Sequence, residues 1–274
     1  MIMPKGEPGR GVEPLTLLMN LNTAKAIEIR AGSPEFLLSQ VWYYEAINAE
    51  NDGELFATLA RSLEINPGNA DSLLYLLRCC EVGDAERLEM SRTIVRMAEA
   101  QLGKAEIEAK APYLWEEVAA RPYLRARAML AAVSRNSGDL AAAIAEYRAL
   151  WALNTNDQQG VRFDLLPLLL EIDRPGEAQN LLDQFPGEEH VVFAWGKVLL
   201  CLLAAGEDEA RAALAAARKY NPHMEKYLLD DEVLPTELPP HYDPGTEDEA
   251  RCYADALAPA WDAHEAALDW LEEN

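Results

Sequence analysis

Gly138-Asp139-Leu140-Ala141-Ala142-Ala143, Asp173-Arg174-Pro175-Gly176-Glu177-Ala178 and Gly206-Glu207-Asp208-Glu209-Ala210 are three helix openings of one pattern, a turn signal running into an anchor alanine. The anchors Ala143, Ala178 and Ala210 stand 35 and 32 residues apart. Four residues on, each is followed by a larger apolar residue, Tyr147, Leu182 or Leu214, and seven on by Leu150, Phe185 or Ala217. Steps of four then three keep one helix face apolar, and the small alanine lets a neighbouring helix approach closely. The preceding helices repeat as well. Leu130, Ala131 and Ser134 recur as Leu165, Leu166 and Leu169, then as Val198, Leu199 and Leu202. Trp195 stands three residues before Val198, and Arg127 and Arg162 hold that place in the other two copies. Asn154 and Asn221-Pro222 close two of the units. A helix-turn-helix unit of about 34 residues is the tetratricopeptide period. An earlier, weaker unit ends in Leu63-Glu64-Ile65-Asn66-Pro67. The fold expected is therefore all-α, a tetratricopeptide-like α-solenoid of stacked antiparallel helical hairpins.

Working outward from these repeats, short turn signals divide the rest of the chain. They include Ser33-Pro34, Asn51-Asp52-Gly53, Asn66-Pro67-Gly68 and Pro186-Gly187, with gaps that suit helices of roughly 10 to 17 residues. Residues 1–13 hold two Pro and three Gly and are expected to be flexible. Residues 14–120 read as irregular hairpins, with longer helices near 70–80 and 84–103 and an irregular connector through Pro112-Tyr113-Leu114-Trp115. Residues 121–229 carry the three clear repeats. Residues 230–244 are acidic and contain Pro235, Pro239, Pro240 and Pro244, so they cannot be helical throughout. A C-terminal helix pair is expected in 245–274, near 246–257 and 260–272. Trp42, Tyr43 and Tyr44, with Leu37, Leu38 and Val41, are expected to pack against the next hairpin rather than form a binding patch.

The formal net charge is −23 over 274 residues, and it is uneven: from Tyr227 onward 14 Asp and Glu face Arg251 alone. That balance repels nucleic-acid phosphates and anionic lipid surfaces, and favours either solubility or a basic partner. The four cysteines, Cys79, Cys80, Cys201 and Cys252, form no C-x-x-C pair. Cys79 and Cys201 fall inside apolar helical patterns, so a reducing compartment and no disulfide framework are expected. The N-terminal apolar run Leu15 to Met19 is too short for a signal-peptide core. The stretch Val191 to Ala205 is broken by Gly196 and Lys197, and falls short of the roughly 20 residues of a membrane span. A cytoplasmic location is the expectation.

The string Asn221-Pro222-His223, followed by Lys226-Tyr227-Leu228-Leu229, then a Pro-rich loop and an Ala-rich helix pair around Glu249-Ala250 and Ala266-Ala267-Leu268, resembles the suppressor of tumorigenicity seven family. The order of units before it is similar: Leu63-Glu64-Ile65-Asn66, the Cys79-Cys80 helix, the Arg-rich helix from Arg121 to Leu130, then Leu168-Leu169-Leu170-Glu171. The resemblance covers roughly residues 55 to 272. It implies a tetratricopeptide-like fold and protein–protein contacts, and brings no catalytic residues with it. Larger relatives in that family have membrane-spanning segments, which this sequence lacks.

Catalytic and metal-binding patterns are weak. His241/Asp243, and Asp262/His264 with Glu265, have metal-binding residue types, but no H-E-x-x-H or Glu-x-x-His pair occurs. Asp262 and His264 are two apart and do not share a helix face. No G-x-S-x-G, phosphate loop or dinucleotide fingerprint is present. No cofactor, metal or enzymatic activity is expected.

The arginines carry more information. Arg121, Arg125, Arg127 and Arg135 crowd one helix of an acidic protein. In the repeat's geometry Arg125 and Arg135 point into the concave groove, whereas Arg127 and Arg162 point between helices, where a buried guanidinium needs a carboxylate. The groove-facing places are Arg125, Ala128, Ala132 and Arg135; then Gly160, Phe163, Pro167 and Leu170; then Phe193, Gly196, Leu200 and Leu203. The expected partner site is thus basic at Arg125 and Arg135 and apolar at Phe163, Leu170, Phe193, Leu200 and Leu203. Either a partner segment with an apolar face and an acidic end covers it, or the chain's own acidic segment Asp230 to Glu249 does. The function expected is a protein-binding scaffold or adaptor. The alternatives are an enzyme with an unrecognised site and a permanent subunit of a larger assembly.

Overall fold

The computed structural model describes Leu18 and residues 23–230, 232–235, 238–239 and 241–274. Among these residues every regular element is a helix, and the one β-type pairing is an isolated bridge between Tyr113 and Asn154. The chain divides into two compact units, one ending at Gln159 and one running from Gly160 to Asn274. The division falls between the first and second of the three repeats.

The first unit holds α1 (Thr23–Glu28), α2 (Pro34–Ala46), α3 (Asp52–Ile65), α4 (Ala70–Cys79), α5 (Asp84–Leu102), α6 (Lys104–Lys110), α7 (Arg121–Asn136) and α8 (Leu140–Leu153). The turn signals act as helix caps. Ser33 accepts from the Phe36 amide with Pro34 in the first turn, and Asn51, Asn69 and Asp139 cap α3, α4 and α8 in the same way. The connector from Tyr113 to Ala120 folds as two short 3-10 turns, Leu114–Glu116 and Val118–Ala120. The pairs α2–α3 and α7–α8 pack closely, and α5 lies against α7.

Small polar residues let α2, α3 and α4 meet. Ser62 donates to the Ser39 carbonyl at 2.8 Å, Asn69 to the Ser39 hydroxyl at 2.9 Å, and Ser72 to the Ser62 hydroxyl at 2.8 Å, all buried. Gln101 ties α5 to the Ala26 carbonyl and to Asn66, at 2.8 and 2.7 Å. These buried groups are all satisfied, which is the condition for polar atoms in a core.

The second unit holds α9 (Val161–Glu171), α10 (Pro175–Asp183), α11 (Val191–Ala204), α12 (Glu207–Tyr220), α13 (Met224–Leu228), α14 (Glu247–Asp262) and α15 (Glu265–Glu273). α11 and α12 form its closest pair. Trp195 is fully buried and donates to the Asn221 carbonyl at 3.2 Å. Gly196 is needed where α11 crosses α9, because a Cβ there would stand 3.0 Å from Leu166 Cδ2.

The structure corrects the expected C-terminal boundaries. α14 runs through Pro259 instead of ending before it. Interior proline costs about 3 kcal/mol, but Leu257, Ala260 and Trp261 are all fully buried on this stretch. Burying a leucine and a tryptophan side chain returns at least that much.

Candidate partner-binding site

α4 and α7 each present one mixed face, polar at Asp71, Arg78 and Arg125 and apolar between. Asp71, Leu74, Tyr75 and Arg78 follow one another at three- and four-residue steps on α4, as do Arg125, Ala128, Met129 and Ala132 on α7. With Tyr43 of α2 these eight residues line a cleft of about 250 Å³ in the first unit. Three of the expected groove positions, Arg125, Ala128 and Ala132, are therefore brought together at one opening.

Arg125 Nε and Nη2 donate to the two oxygens of Asp71 at 2.6 Å each. The Asp71 side chain is 1% exposed and that of Arg125 33% exposed. Burial works against the Arg125 charge, but the hydrogen bonds and charge of Asp71 hold the guanidinium above its ordinary pKa. Tyr43 is pushed up to about 12, first by burial and then by Asp71, so its phenol stays protonated. Arg78 is exposed at the cleft, and no ion pair or hydrogen bond engages its side chain among the described residues. The cleft thus holds two guanidinium groups against one carboxylate, a local positive excess in a chain of net charge −23.

The other groove residues have a different fate. Leu170, Phe193 and Leu200 are 0, 5 and 2% exposed, and Pro167 and Gly196 are buried; Phe163, Leu203 and Arg135 are half-buried. Helix α14 packs on both α9 and α11. Its Tyr253 ring meets Phe163 edge-on at 6.3 Å and His190 at 4.4 Å, and His190 stacks on Phe163 at 3.6 Å. His264, at the start of α15, has its Nε2 2.8 Å from the Leu170 carbonyl. Burial, with the nearby Arg162 charge, drives His190 down to about 4, so it is neutral at physiological pH. Its Nδ1 accepts from the Val192 amide, which places the proton on Nε2.

The expected cover is thereby corrected. Among the described residues the apolar stretch is packed against α14, a helix, whose Tyr253 ring also meets Tyr242 of the segment before it at 5.7 Å. Arg125 takes Asp71, within its own unit, as its acid. Within the acidic segment, Glu232 pairs with Lys226 at 2.7 Å.

The residues that anchor α14 lie in the Asn221 to Leu229 string. Asn221 donates to the Thr246 carbonyl and to Glu249, and Lys226 and Tyr227 donate to Glu247. The interhelical arginines behave as expected: Arg127 pairs with Glu146 at 2.6 Å and Arg162 with Glu188 at 2.9 Å.

Two further expectations hold only in part. On α2, Trp42 and Tyr43 are half-buried, with Arg61 of α3 over the Trp42 ring at 5.0 Å, but Leu37, Leu38, Val41 and Tyr44 are 52, 49, 54 and 50% exposed. The buried side of α2 is Phe36, Ser39 and Ala46. Of the cysteines, it is Cys80 that is buried, while Cys79 and Cys201 are half-buried. Burial raises both thiols, Cys79 to about 11. Among the described residues no group of three or more His, Cys, Asp or Glu could hold a metal ion, and no helix is long and apolar enough to cross a membrane. No protein-family model, curated protein or solved structure matches this chain.

Proposed function

We propose that this chain is a tetratricopeptide-like helical solenoid that works as an adaptor, holding a segment of another protein in the cleft between α4 and α7. One observation carries the reading. Three of the four places expected to face inward in the first regular repeat, Arg125, Ala128 and Ala132, line an open cleft with Tyr43, Tyr75 and Arg78. A volume of about 250 Å³ lies below the roughly 300–1,000 Å³ of small-molecule sites, and suits one or two side chains of a peptide. The Asn221 to Leu229 string supports kinship with the suppressor of tumorigenicity seven family, and with it a role in protein–protein contacts.

The test is selection of peptides from a random displayed library on the wild-type protein and on Ala132→Trp, whose indole fills the cleft. Peptides that bind the wild type and lose the tryptophan variant, at an unchanged melting temperature, are the expected result. A library that yields no peptide sensitive to Ala132→Trp sinks the adaptor reading.

A further inference from the structure

We propose that the cleft and the exposed face of α2 beside it together receive an amphipathic helix of another protein, one with an aliphatic ridge that ends in an acidic side chain. The inference rests on the adaptor reading and names the chemistry of the partner.

The apolar half of the surface is the row Leu37, Leu38, Val41 and Tyr44. Its spacing of one, four and seven residues puts it on a single face of α2, and each member is about half exposed. Seven residues of helix rise about 10 Å, two turns. A contiguous row of this kind is a binding surface in the making and not scattered surface apolarity. Its periodicity is that of a helix ridge, which packs best against the grooves of a second helix.

The polar half adjoins it. Tyr44, the last member of the row, has its ring 5.3 Å from that of Tyr43, which lines the cleft. Both tyrosines lie near enough to Arg125 to act on its charge. Asp71 engages Nε and Nη2 of Arg125, a residue that lines the cleft, and Nη1 makes no bond among the described residues. Arg78, four residues beyond Leu74 on the same helix face, is exposed and has no acid of its own among the described residues. The row and the unspent positive charge therefore follow one another along one surface. A partner helix that lays aliphatic residues on Leu37, Leu38 and Val41 carries its next turn to Tyr44 and the cleft, where a carboxylate meets Arg78 and Arg125. An acidic end is selected there and a basic one is repelled, which is how charge sets orientation at an interface.

The probe is a pair of synthetic, fluorescently labelled helical peptides with the same leucine ridge, one ending in glutamate and the other in lysine. Binding is read by anisotropy on the full chain. The glutamate peptide is expected to bind the wild type roughly tenfold tighter than the lysine peptide. Arg78→Glu is expected to invert that order, and Leu38→Asp to weaken both peptides roughly tenfold. Both positions are exposed, so melting curves should match the wild type. Equal binding of the two peptides, or an order that Arg78→Glu leaves unchanged, overturns the acidic end. Indifference to Leu38→Asp overturns the α2 row. A wild-type dimer in sedimentation that Leu38→Asp splits assigns the row to a second copy of this chain and overturns the proposal. If neither designed peptide binds, the proposal fails, while the adaptor reading is still decided separately by the library selection.

Discussion

Replacing Glu249 by alanine should loosen the C-terminal helix pair by an amount the structure allows to be worked out. Glu249 is 1% exposed and has no Lys or Arg against it among the described residues. Its carboxylate accepts from the Gly245 amide at 2.8 Å, Asn221 Nδ2 at 3.0 Å, the Tyr220 hydroxyl at 3.1 Å and, more weakly, the Val191 amide at 3.4 Å. The Gly245 amide belongs to a residue that is only half-buried, and the Tyr220 hydroxyl can turn to water once the acid is gone. Asn221 and Val191, both 0% exposed, cannot. Each buried donor left unsatisfied costs about 1–3 kcal/mol. Against this stands the relief of no longer burying a charge, so a net loss of about 3 kcal/mol is expected. At about 2–4 °C per kcal/mol this is a fall of roughly 10 °C in melting temperature. Glu249→Gln keeps the volume but turns an amide NH2 toward donors, so it should lose at least half as much. Thermal unfolding by circular dichroism measures both variants, and hydrogen exchange at Gly245 and Val191 locates the loss. If both variants melt within about 2 °C of the wild type, the carboxylate is not the latch that its geometry indicates.

Further outcomes follow from other sites. His190 binds its proton at about 4 in the folded chain and near 6.5 unfolded. The unfolded state therefore takes up protons first: the His190 contribution is complete above about pH 6.5 and is lost as the pH falls toward 4, by up to about 3 kcal/mol. His190→Asn, which keeps an acceptor for the Val192 amide, should flatten that slope in urea titrations taken between these pH values, and an unchanged slope would exclude His190 as its source. Arg162 pairs with Glu188 and covers the rings of Phe163 and Phe185 at 4.1 and 4.9 Å, so Arg162→Ala should cost about 2 kcal/mol in chemical denaturation, more than the loss of an exposed ion pair. Cys79, raised to about 11 from 9 by burial with Cys80 and Asp52 adding, carries roughly a hundredfold less thiolate near neutral pH than an ordinary thiol, so disulfide reagents should modify it correspondingly slowly; modification at the rate of a free thiol would contradict the burial.

What the sequence makes legible is what is local. Ser33, Asn51 and Asp139 cap helices because a cap is decided within four residues, and the long helices near 70–80 and 84–103 appear as α4 and α5 for the same reason. The need of Arg127 and Arg162 for carboxylates is legible from their place in the repeat. The identities of Glu146 and Glu188, 19 and 26 residues away, are not. Asp71 with Arg125 is separated by 54 residues and Glu249 with Asn221 by 28, and no period connects either pair. The α2 row misleads for a definite reason: aliphatic and aromatic residues at helical spacing look alike whether they face a core or open surface. Only the serine at position 39, bonded to Asn69 and facing Ser62 and α4, shows which side turns inward. Pro259 misleads in the opposite sense, since a local helix breaker gives way to the burial of Trp261.

Chemistry at matching positions explains why one stretch of the expected groove is open and the next is not. The first helix of the first repeat offers Arg125, Ala128, Ala132 and Arg135; the next offers Gly160, Phe163, Pro167 and Leu170, and the third Phe193, Gly196, Leu200 and Leu203. A floor of phenylalanine and leucine left in water costs about 25 cal/mol for each Å² exposed, so a segment of the same chain with a matching apolar face will settle on it. Helix α14 is such a segment: Ala250, Ala254, Leu257 and Trp261 recur at three- and four-residue steps and are all buried. Its polar attachments, through Glu247 to Lys226 and through Glu249 to Asn221, fix the register that brings Tyr253 onto Phe163. A floor of arginine and alanine makes no such demand. Asp71 holds the Arg125 guanidinium, and the small alanines leave room for a side chain instead of filling it. On the adaptor proposal, the place for a partner is therefore at Tyr43, Arg78 and Arg125, where two guanidinium groups stand against one carboxylate in a chain that is otherwise strongly negative.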